Sequence, residues 1–465
     1  MNAINGSFCE RCTNLFRDRI RTLSIFSWKP KRQLPLREAF CYAYDMLDIK
    51  FIREHPDLIR EAARKKHIDF KVEDLLSIDE KRRALLKEVE EKRALLNAKS
   101  EEVARMTDAE QKEKTISENR NLKENLRAHE KELKMLEESF RSLMHEVPNV
   151  PDPSVPEGQT DADNQEIRAW GEPRRVGVEP KDHITLMKDL DLLDLERGAK
   201  VSGFRGYFLK NDAARLSFAL WQLVIEHVRG RGYTPIIAPA LVRERNLFGT
   251  GHFPQAREDV FKTQNDLYLS ATAEIPLMGL HADEIFEEKE LPKKYVAFSP
   301  CFRREAGAYG EDTKSVYRVH EFFKIEQLIL SKKDHQDTVM LHEELTRNAE
   351  EILQALKIPY RVVAVCGGDL GRAHVKSYDI EAWIPSEQRY RESHTSSYYH
   401  DFQTRRLNIR YRDTDGNLRF CYSLNNTAIA TPRILISLFE NYQQADGSIK
   451  VPEVLQKYVG KSTIS

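Results

Sequence analysis

Residues 299–330 read Ser299-Pro-Cys-Phe-Arg303-Arg-Glu305-Ala-Gly-Ala-Tyr-Gly-Glu-Asp-Thr-Lys-Ser-Val-Tyr-Arg318-Val-His-Glu-Phe322-Phe-Lys-Ile-Glu326-Gln-Leu-Ile-Leu330. Taken as two strands joined by a long polar loop, they put Arg303 and Glu305 on one face of the first strand. Arg318, Phe322 and Glu326 fall on one face of the second, because strand side chains alternate with a period of two. One sheet face then collects two guanidiniums, two carboxylates and a ring, while Phe323, Ile325 and Ile329 make an apolar reverse face. A solvated hairpin would show the same alternation, so the pattern alone leaves a binding site and a bland surface both open.

Phe302-Arg-Arg-Glu305, with Tyr317-Arg-Val-His-Glu-Phe322 and Lys324-Ile-Glu326, resembles the second signature motif of class II aminoacyl-tRNA synthetases, in the form seen in seryl-tRNA synthetases. Other stretches extend the likeness. Met46-Leu-Asp-Ile-Lys-Phe-Ile-Arg-Glu resembles the start of the bacterial enzymes, and Gly232-Tyr-Thr-Pro-Ile-Ile-Ala-Pro239 the first class II motif. Leu424-Asn-Asn-Thr-Ala-Ile-Ala-Thr-Pro-Arg433 resembles the third.

Length and composition agree with a multidomain protein of that kind. The 465 residues are 40% hydrophobic and 32% charged, enough for two or three domains. A net charge of -1 gives no chain-wide nucleic-acid footprint, so any RNA contact must be local. Of six cysteines only Cys9 and Cys12 have metal or redox spacing, and the pattern fits a reducing compartment. No run reaches the roughly eighteen apolar residues of a membrane span.

Residues 1–37 carry eight Lys or Arg against Glu10 and Asp18, interleaved with Leu15, Ile20, Leu23, Ile25, Phe26 and Trp28. Such a basic, acid-poor, amphipathic start reads as an organelle transit peptide; a disordered basic arm is the alternative. Between Pro56 and Pro148 there is no glycine or proline. Leu75, Ile78, Leu85, Val89, Leu96 and Val103 keep one heptad register, and Leu122, Leu126, Leu133, Leu136, Phe140, Leu143 and Val147 another. With a polar break at Thr107-Asp108, this predicts an antiparallel helical hairpin, each limb reaching roughly 45 Å or more at about 1.5 Å per residue. Periodicity alone would suit a dimerisation coiled coil; the resemblance makes it a tRNA-binding arm. Pro148, Pro151, Pro153 and Pro156 predict a linker.

The resemblance therefore implies an α+β fold: the class II antiparallel sheet flanked by helices, preceded by the helical-hairpin arm. It divides the chain into a mitochondrial transit peptide or extension (1–45), the arm (46–149), a Pro-rich linker (150–178) and the catalytic domain (179–465). It implies a homodimer formed through Gly232–Pro239, with L-serine, ATP and tRNA-Ser as substrates, Mg²⁺ accompanying ATP, no protein-bound zinc and no membrane. The expected compartment is the mitochondrial matrix, with the cytoplasm as alternative.

The remaining motifs follow. Thr272-Ala273-Glu274 alone would be a capping-box fragment; the resemblance makes it part of the serine pocket, with Glu326, Asn425 and Thr427. The glycines of Gly367-Gly-Asp-Leu-Gly371 lack the lysine and threonine of a P-loop. In Arg391-Glu392-Ser393-His394-Thr395, a carboxylate and a hydroxyl three residues apart offer hard oxygens for Mg²⁺. Arg433 stands at the start of a helix capped by Thr431, where the dipole disfavours a cation unless an anion lies between.

By resemblance Arg303 meets the α-phosphate, Arg318 and Arg433 the departing phosphates, and Phe322 and Arg433 the adenine. Arg303, Glu305, Arg318 and Arg433 form the catalytic set. Arg304, Val319, Ser393 and His394 complete the ATP site, and Glu392 with Thr395 holds the metal. Thr395 stands where a serine is usual; Ser315, Val316 and Tyr398 to His400 also depart from the commoner residues. A non-catalytic paralogue that binds RNA or regulates another synthetase is the alternative function, disfavoured by the presence of all the charged residues.

Overall fold

The structure, a computed structural model, describes residues 48–173, 179–306 and 315–465. The basic N-terminal stretch and the Cys9–Cys12 pair lie outside them. Helix α1 (Ile49–Glu54) starts where the Asp48 carboxylate accepts the Lys50 N–H, and α2 (Pro56–Lys65) takes proline in its first turn, where a missing N–H costs nothing. Then come two long helices, α3 (Val72–Arg105) and α4 (Ala109–Glu146), folded back on each other. The break falls at Thr107-Asp108, as the sequence predicts, with Asp108 accepting from Glu110 N and Gln111 N.

The hairpin is best packed near its foot, where Ile52, Ile59, Val72, Leu75, Met144 and Val147 close a small core, and at Leu85, Val89, Leu126 and Leu133. Arg93–Glu130 bridges the helices beside this cluster at 2.6 Å; farther out Leu96 and Val103 are only half-buried, and Lys99–Glu118 pairs across at 2.9 Å. At Ile78 the heptad reading slips. Its neighbour Asp79 is the fully buried residue, its carboxylate accepting from Arg82 and Arg83, both at 3.0 Å.

The segment read as a linker is not a loose tether. Asp152 N–H donates to Val375 O (2.9 Å), Tyr398 OH donates to the Asp152 carboxylate (2.7 Å), and Gly367 N–H donates to Pro156 O (2.9 Å). Beyond it, Gln165–Trp170 form strand β1 at the edge of the main sheet. Five of its six residues are exposed, so its sequence shows no buried alternation.

The sheet continues with β2 (Thr234–Ile237), β3 (Lys293–Phe302), β4 (Glu321–Ser331), β5 (Tyr360–Ala364), β6 (Lys376–Ile384), β7 (Arg389–His400) and β8 (Tyr422–Thr431), in the order β1–β5–β6–β7–β8–β4–β3–β2. All neighbours are antiparallel except β2 with β3. The helices that position the site are α5 (Asn211–Arg229), α6 (Glu244–Thr250), α7 (Glu274–Leu280), α8 (His335–Ala355), α9 (Phe402–Leu407) and α10 (Arg433–Tyr442).

Strand β4 shows how the faces divide. Its odd residues Ile325 and Ile329 enter the main core with Leu220 and Val224 of α5, Leu345 and Ile352 of α8, and Leu435 and Phe439 of α10. Its even residues change character along the strand. Phe322, Lys324 and Glu326 line a cavity, whereas Leu328 and Leu330 are buried in a second core under α7 and α9. The site thus occupies the part of one sheet face that those helices leave uncovered.

Two strand readings are corrected. β3 ends at Phe302, so Arg303 and Glu305 lie beyond it in a loop, with Glu305 at φ +53°. β4 begins at Glu321, so Arg318 precedes it. Nor does Thr431 cap α10: Pro432 occupies the cap position, and the Thr431 hydroxyl accepts from Trp221 Nε1 at 3.0 Å.

Candidate active site

A cavity of about 430 Å³ opens on the uncovered sheet face, a size suited to a small-molecule substrate. Arg303, Glu305, Arg318, Val319, Phe322, Glu326, Thr272, Glu274, Glu392, Ser393, Thr395, Asn425, Thr427 and Arg433 all line it, so residues spread over more than 160 positions of sequence converge there. Ala273, Arg304 and His394 do not. Ala273 is packed in the second core beside Leu277 and Leu328, and the exposed Arg304 is tied by its N–H to Asp259 O (2.8 Å). His394 is buried, its Nδ1 facing Ser393 Oγ at 2.7 Å.

The outer end of the cavity is cationic. Arg318 pairs with Glu305 at 3.4 Å and Arg433 with Glu392 at 3.0 Å; the Arg303 guanidinium lies 5.3 Å from the Phe322 ring centre. Glu392 is the anion that reconciles Arg433 with its place at the start of α10. Burial alone would push the Glu392 carboxyl up, but Arg433, Arg303 and Arg318 together hold it below the usual range. Tyr317, which the sequence did not single out, lies between two guanidiniums, with Arg391 3.8 Å and Arg433 4.3 Å from its ring centre. Its hydroxyl donates to Glu392 O at 2.6 Å.

Glu392 and Thr395 share a face only because β7 bulges. Glu392 pairs with Glu381 and His394 with Ile380, which leaves Ser393 as the extra residue. Regular alternation would have sent the two side chains to opposite faces. Thr395 Oγ1 donates to Asp379 at 2.7 Å and lies 3.4 Å from Glu392 Oε1. The Asp379 carboxyl is pushed well up by burial and by the Glu392 charge. Among the described residues no cluster of three or more His, Cys, Asp or Glu is arranged to hold a metal ion.

The inner end is buried and closely bonded. Lys324 Nζ meets Glu326 Oε2 at 2.7 Å, and Thr427 Oγ1 donates to the same oxygen at 3.3 Å. Gln403 Nε2, from α9, donates to Glu274 at 2.6 Å, while Gln403 Oε1 accepts from Ser423 Oγ at 2.8 Å. Glu274 opens α7, where the dipole favours its charge, yet burial and the Glu326 charge raise its carboxyl to about 7. Tyr399 OH donates to Asn425 Oδ1 at 3.3 Å. The Gly249–Pro254 stretch contributes His252, whose imidazole burial and the Arg303 charge depress to about 3.

Lys324, Gln403, Asp379 and Tyr317 are thus functional candidates that sequence reasoning missed. Of these only Lys324 carried a signal, its even parity with Phe322 and Glu326. Most of the departures from commoner family residues do not themselves line the cavity. Ser315 Oγ contacts His183 Nε2 (3.1 Å), Val316 lies in the main core and Tyr398 bonds Asp152; Tyr399 alone of the group, beside Thr395, lines the site.

Comparison with known proteins gives a consistent result. The tRNA synthetase class II core domain (G, H, P, S and T) matches residues 260–442, and the Seryl-tRNA synthetase N-terminal domain matches residues 46–151. Serine--tRNA ligase of Deinococcus radiodurans is 44% identical over 416 residues, covering 89% of this chain and 98% of that protein. The seryl-tRNA synthetase of Pyrococcus horikoshii complexed with ATP superposes with a TM-score of 0.82 at 40% identity, over 90% of this chain and 99% of its own. The cytoplasmic enzyme of Naegleria fowleri in complex with AMP gives 0.78 at 33% identity, over 91% and 99%.

Proposed function

The chain belongs to the seryl-tRNA synthetases, of class II, and from that premise we propose how its cavity divides the work and where in the cell it acts. It is a serine–tRNA ligase. A serine carboxylate oxygen attacks the α-phosphorus of ATP, the bond to pyrophosphate breaks, and seryl-adenylate forms. The terminal ribose hydroxyl of tRNA-Ser then attacks the seryl carbonyl, gives up its proton and displaces AMP.

The observation that carries the division of labour is the joining, in one cavity, of a cationic outer end and a buried acidic inner end. At the outer end Arg303 takes the α-phosphate, Arg318 and Arg433 the departing phosphates, and Phe322 with Arg433 the adenine. Such a transfer needs in-line placement and charge neutralisation more than covalent help. At the inner end Glu274 and Glu326 receive the serine ammonium, and Thr272, Asn425 and Thr427 surround the side chain. Hydrogen-bonding groups aimed at a small hydroxyl reject alanine, which would strand them unpaired.

Mg²⁺ would be held by Glu392 and Thr395. The fit rests on the donor chemistry: hard oxygens, and a neighbouring Asp379 whose carboxyl is driven up by burial and then by the Glu392 charge, a conflict that a divalent cation would relieve. Bound there with ATP, it would offset phosphate charge.

The hairpin is the proposed tRNA-holding arm. A homodimer through Gly232–Pro239 is supported by edge strand β2, whose Ile237 is 85% exposed, and by Phe218 at 66%. The mitochondrial assignment rests on the basic, acid-poor residues 1–37; fused to a fluorescent protein, the 1–45 extension should direct it to mitochondria, and a diffuse signal would remove the assignment.

The activity is tested by serine-dependent exchange of labelled pyrophosphate into ATP. Exchange with serine and not with alanine, slowed at least about a hundredfold in Arg303→Ala, is expected. A folded wild type without exchange would favour a non-catalytic paralogue.

A further inference from the structure

The glycine-rich stretch 367–371 is not used by the chemistry above, yet it leads into Gly371–His374, a wall of the cavity. That wall is gripped from behind by the foot of the arm. Lys66, just after α2, is 3% exposed, and its Nζ donates to Gly371 O (3.2 Å), Arg372 O (3.0 Å) and His374 O (2.6 Å). Asn149, just after α4, donates its N–H to Arg372 O (2.9 Å) and its Nδ2 to Ala373 O (2.9 Å) and Tyr399 O (2.8 Å). Arg372 in turn donates to Glu146 O. Two residues of the arm thus take all four carbonyls from 371 to 374.

The glycines fit this contact. A Cβ on Gly367 would come within 2.2 Å of Lys65 O, and one on Gly371 within 2.4 Å of His374 Nδ1. Glycine lets the foot approach on one side and the His374 ring lie close on the other. From His374 the contacts run inward: its Nε2 faces Tyr399 OH at 3.2 Å, and Tyr399 OH donates to Asn425 at the inner end. Burying a lysine ammonium among carbonyls is costly unless each bond is made, so the grip holds one geometry.

We propose that Lys66 and Asn149 are positioning residues for serine: the foot of the arm sets the Gly371–His374 wall, and through His374 and Tyr399 the shape of the inner end. This rests on reading that end as the serine pocket. It makes arm and pocket one mechanical unit, with the ATP end outside it.

The test is pyrophosphate exchange by the full chain carrying Lys66→Met, with the KM for serine and for ATP measured separately and folding checked by circular dichroism. The expected result is a serine KM raised about tenfold, an ATP KM within about twofold of wild type, and a smaller serine-induced rise in Tm with the ATP-induced rise kept. A merely structural role would move both constants together or neither, and either outcome in a folded variant overturns the proposal. Should Lys66→Met not fold, Asn149→Ala decides by the same criterion. A wild type that fails to exchange label overturns the ligase reading and this inference with it. A wild type that exchanges, beside variants with unchanged constants, overturns this inference alone.

Discussion

The two ends of the cavity are built on opposite plans. The outer end takes its cations from loops and a helix start, and leaves them half-open: Arg318 retains 35% and Arg433 22% of side-chain exposure, each paired with a carboxylate that a phosphate could replace. The inner end takes its charges from strand and helix positions: Lys324, Glu326 and Glu274 are 6%, 3% and 6% exposed and bonded to one another or to Gln403. On the proposed division of the cavity, the end that admits and releases a large polyanion keeps exchangeable ion pairs. A site that must measure a side chain of three heavy atoms or fewer is fixed before the ligand arrives.

This contrast can be broken or sharpened at four places. The largest effect is expected at Arg303: Arg303→Ala removes a cation aimed at developing charge and should slow exchange by about 10²–10³-fold, as measured from kcat, with folding intact. Next is Lys324→Met, which strips the buried acidic pair of its cation. Urea unfolding should show a loss of about 3 kcal/mol; a change below about 1 would mean the inner end is not electrostatically strained.

The third prediction concerns pH. With its carboxyl at about 7 rather than the usual 4.5, Glu274 binds protons more tightly folded than unfolded, so stability falls as pH rises from 4.5 to about 7 and is flat above. The serine ammonium favours the ionised form, so binding runs the other way. The serine KM should fall about tenfold from pH 6 to 8, the ATP KM should not follow it, and Glu274→Gln should flatten the profile.

The smallest effect is at Tyr317. Replacing it by leucine removes the ring face under Arg433, worth about 0.5–1 kcal/mol, and should raise the ATP KM about two- to fivefold with the serine KM unmoved.

What could be read from the sequence follows the same division. The arginines of the outer end lie in motifs, and the resemblance placed Arg303, Arg318 and Arg433 in one cavity although the strand argument misplaced the first two. Their charges continue an alternating pattern past the last ladder pairs, and alternation alone does not mark where a strand stops. Glu392 and Thr395 pair in the sequence by their hard-oxygen chemistry and by family likeness; strict alternation would separate them, and nothing in Glu392-Ser393-His394-Thr395 announces the bulge that unites them. Gln403 and Asp379 reach the site through helix packing and strand pairing, which have no local signature. β1 escaped because an exposed edge strand has no buried face to show in its sequence.

The division of the cavity is tested most directly by calorimetric titration of serine and of ATP, each alone, into Glu274→Gln and Arg433→Ala. The structure predicts a crossed result: Glu274→Gln loses serine binding and keeps ATP, and Arg433→Ala weakens ATP and keeps serine. If either variant loses both ligands to the same extent while remaining folded, the cavity does not have two separately built ends.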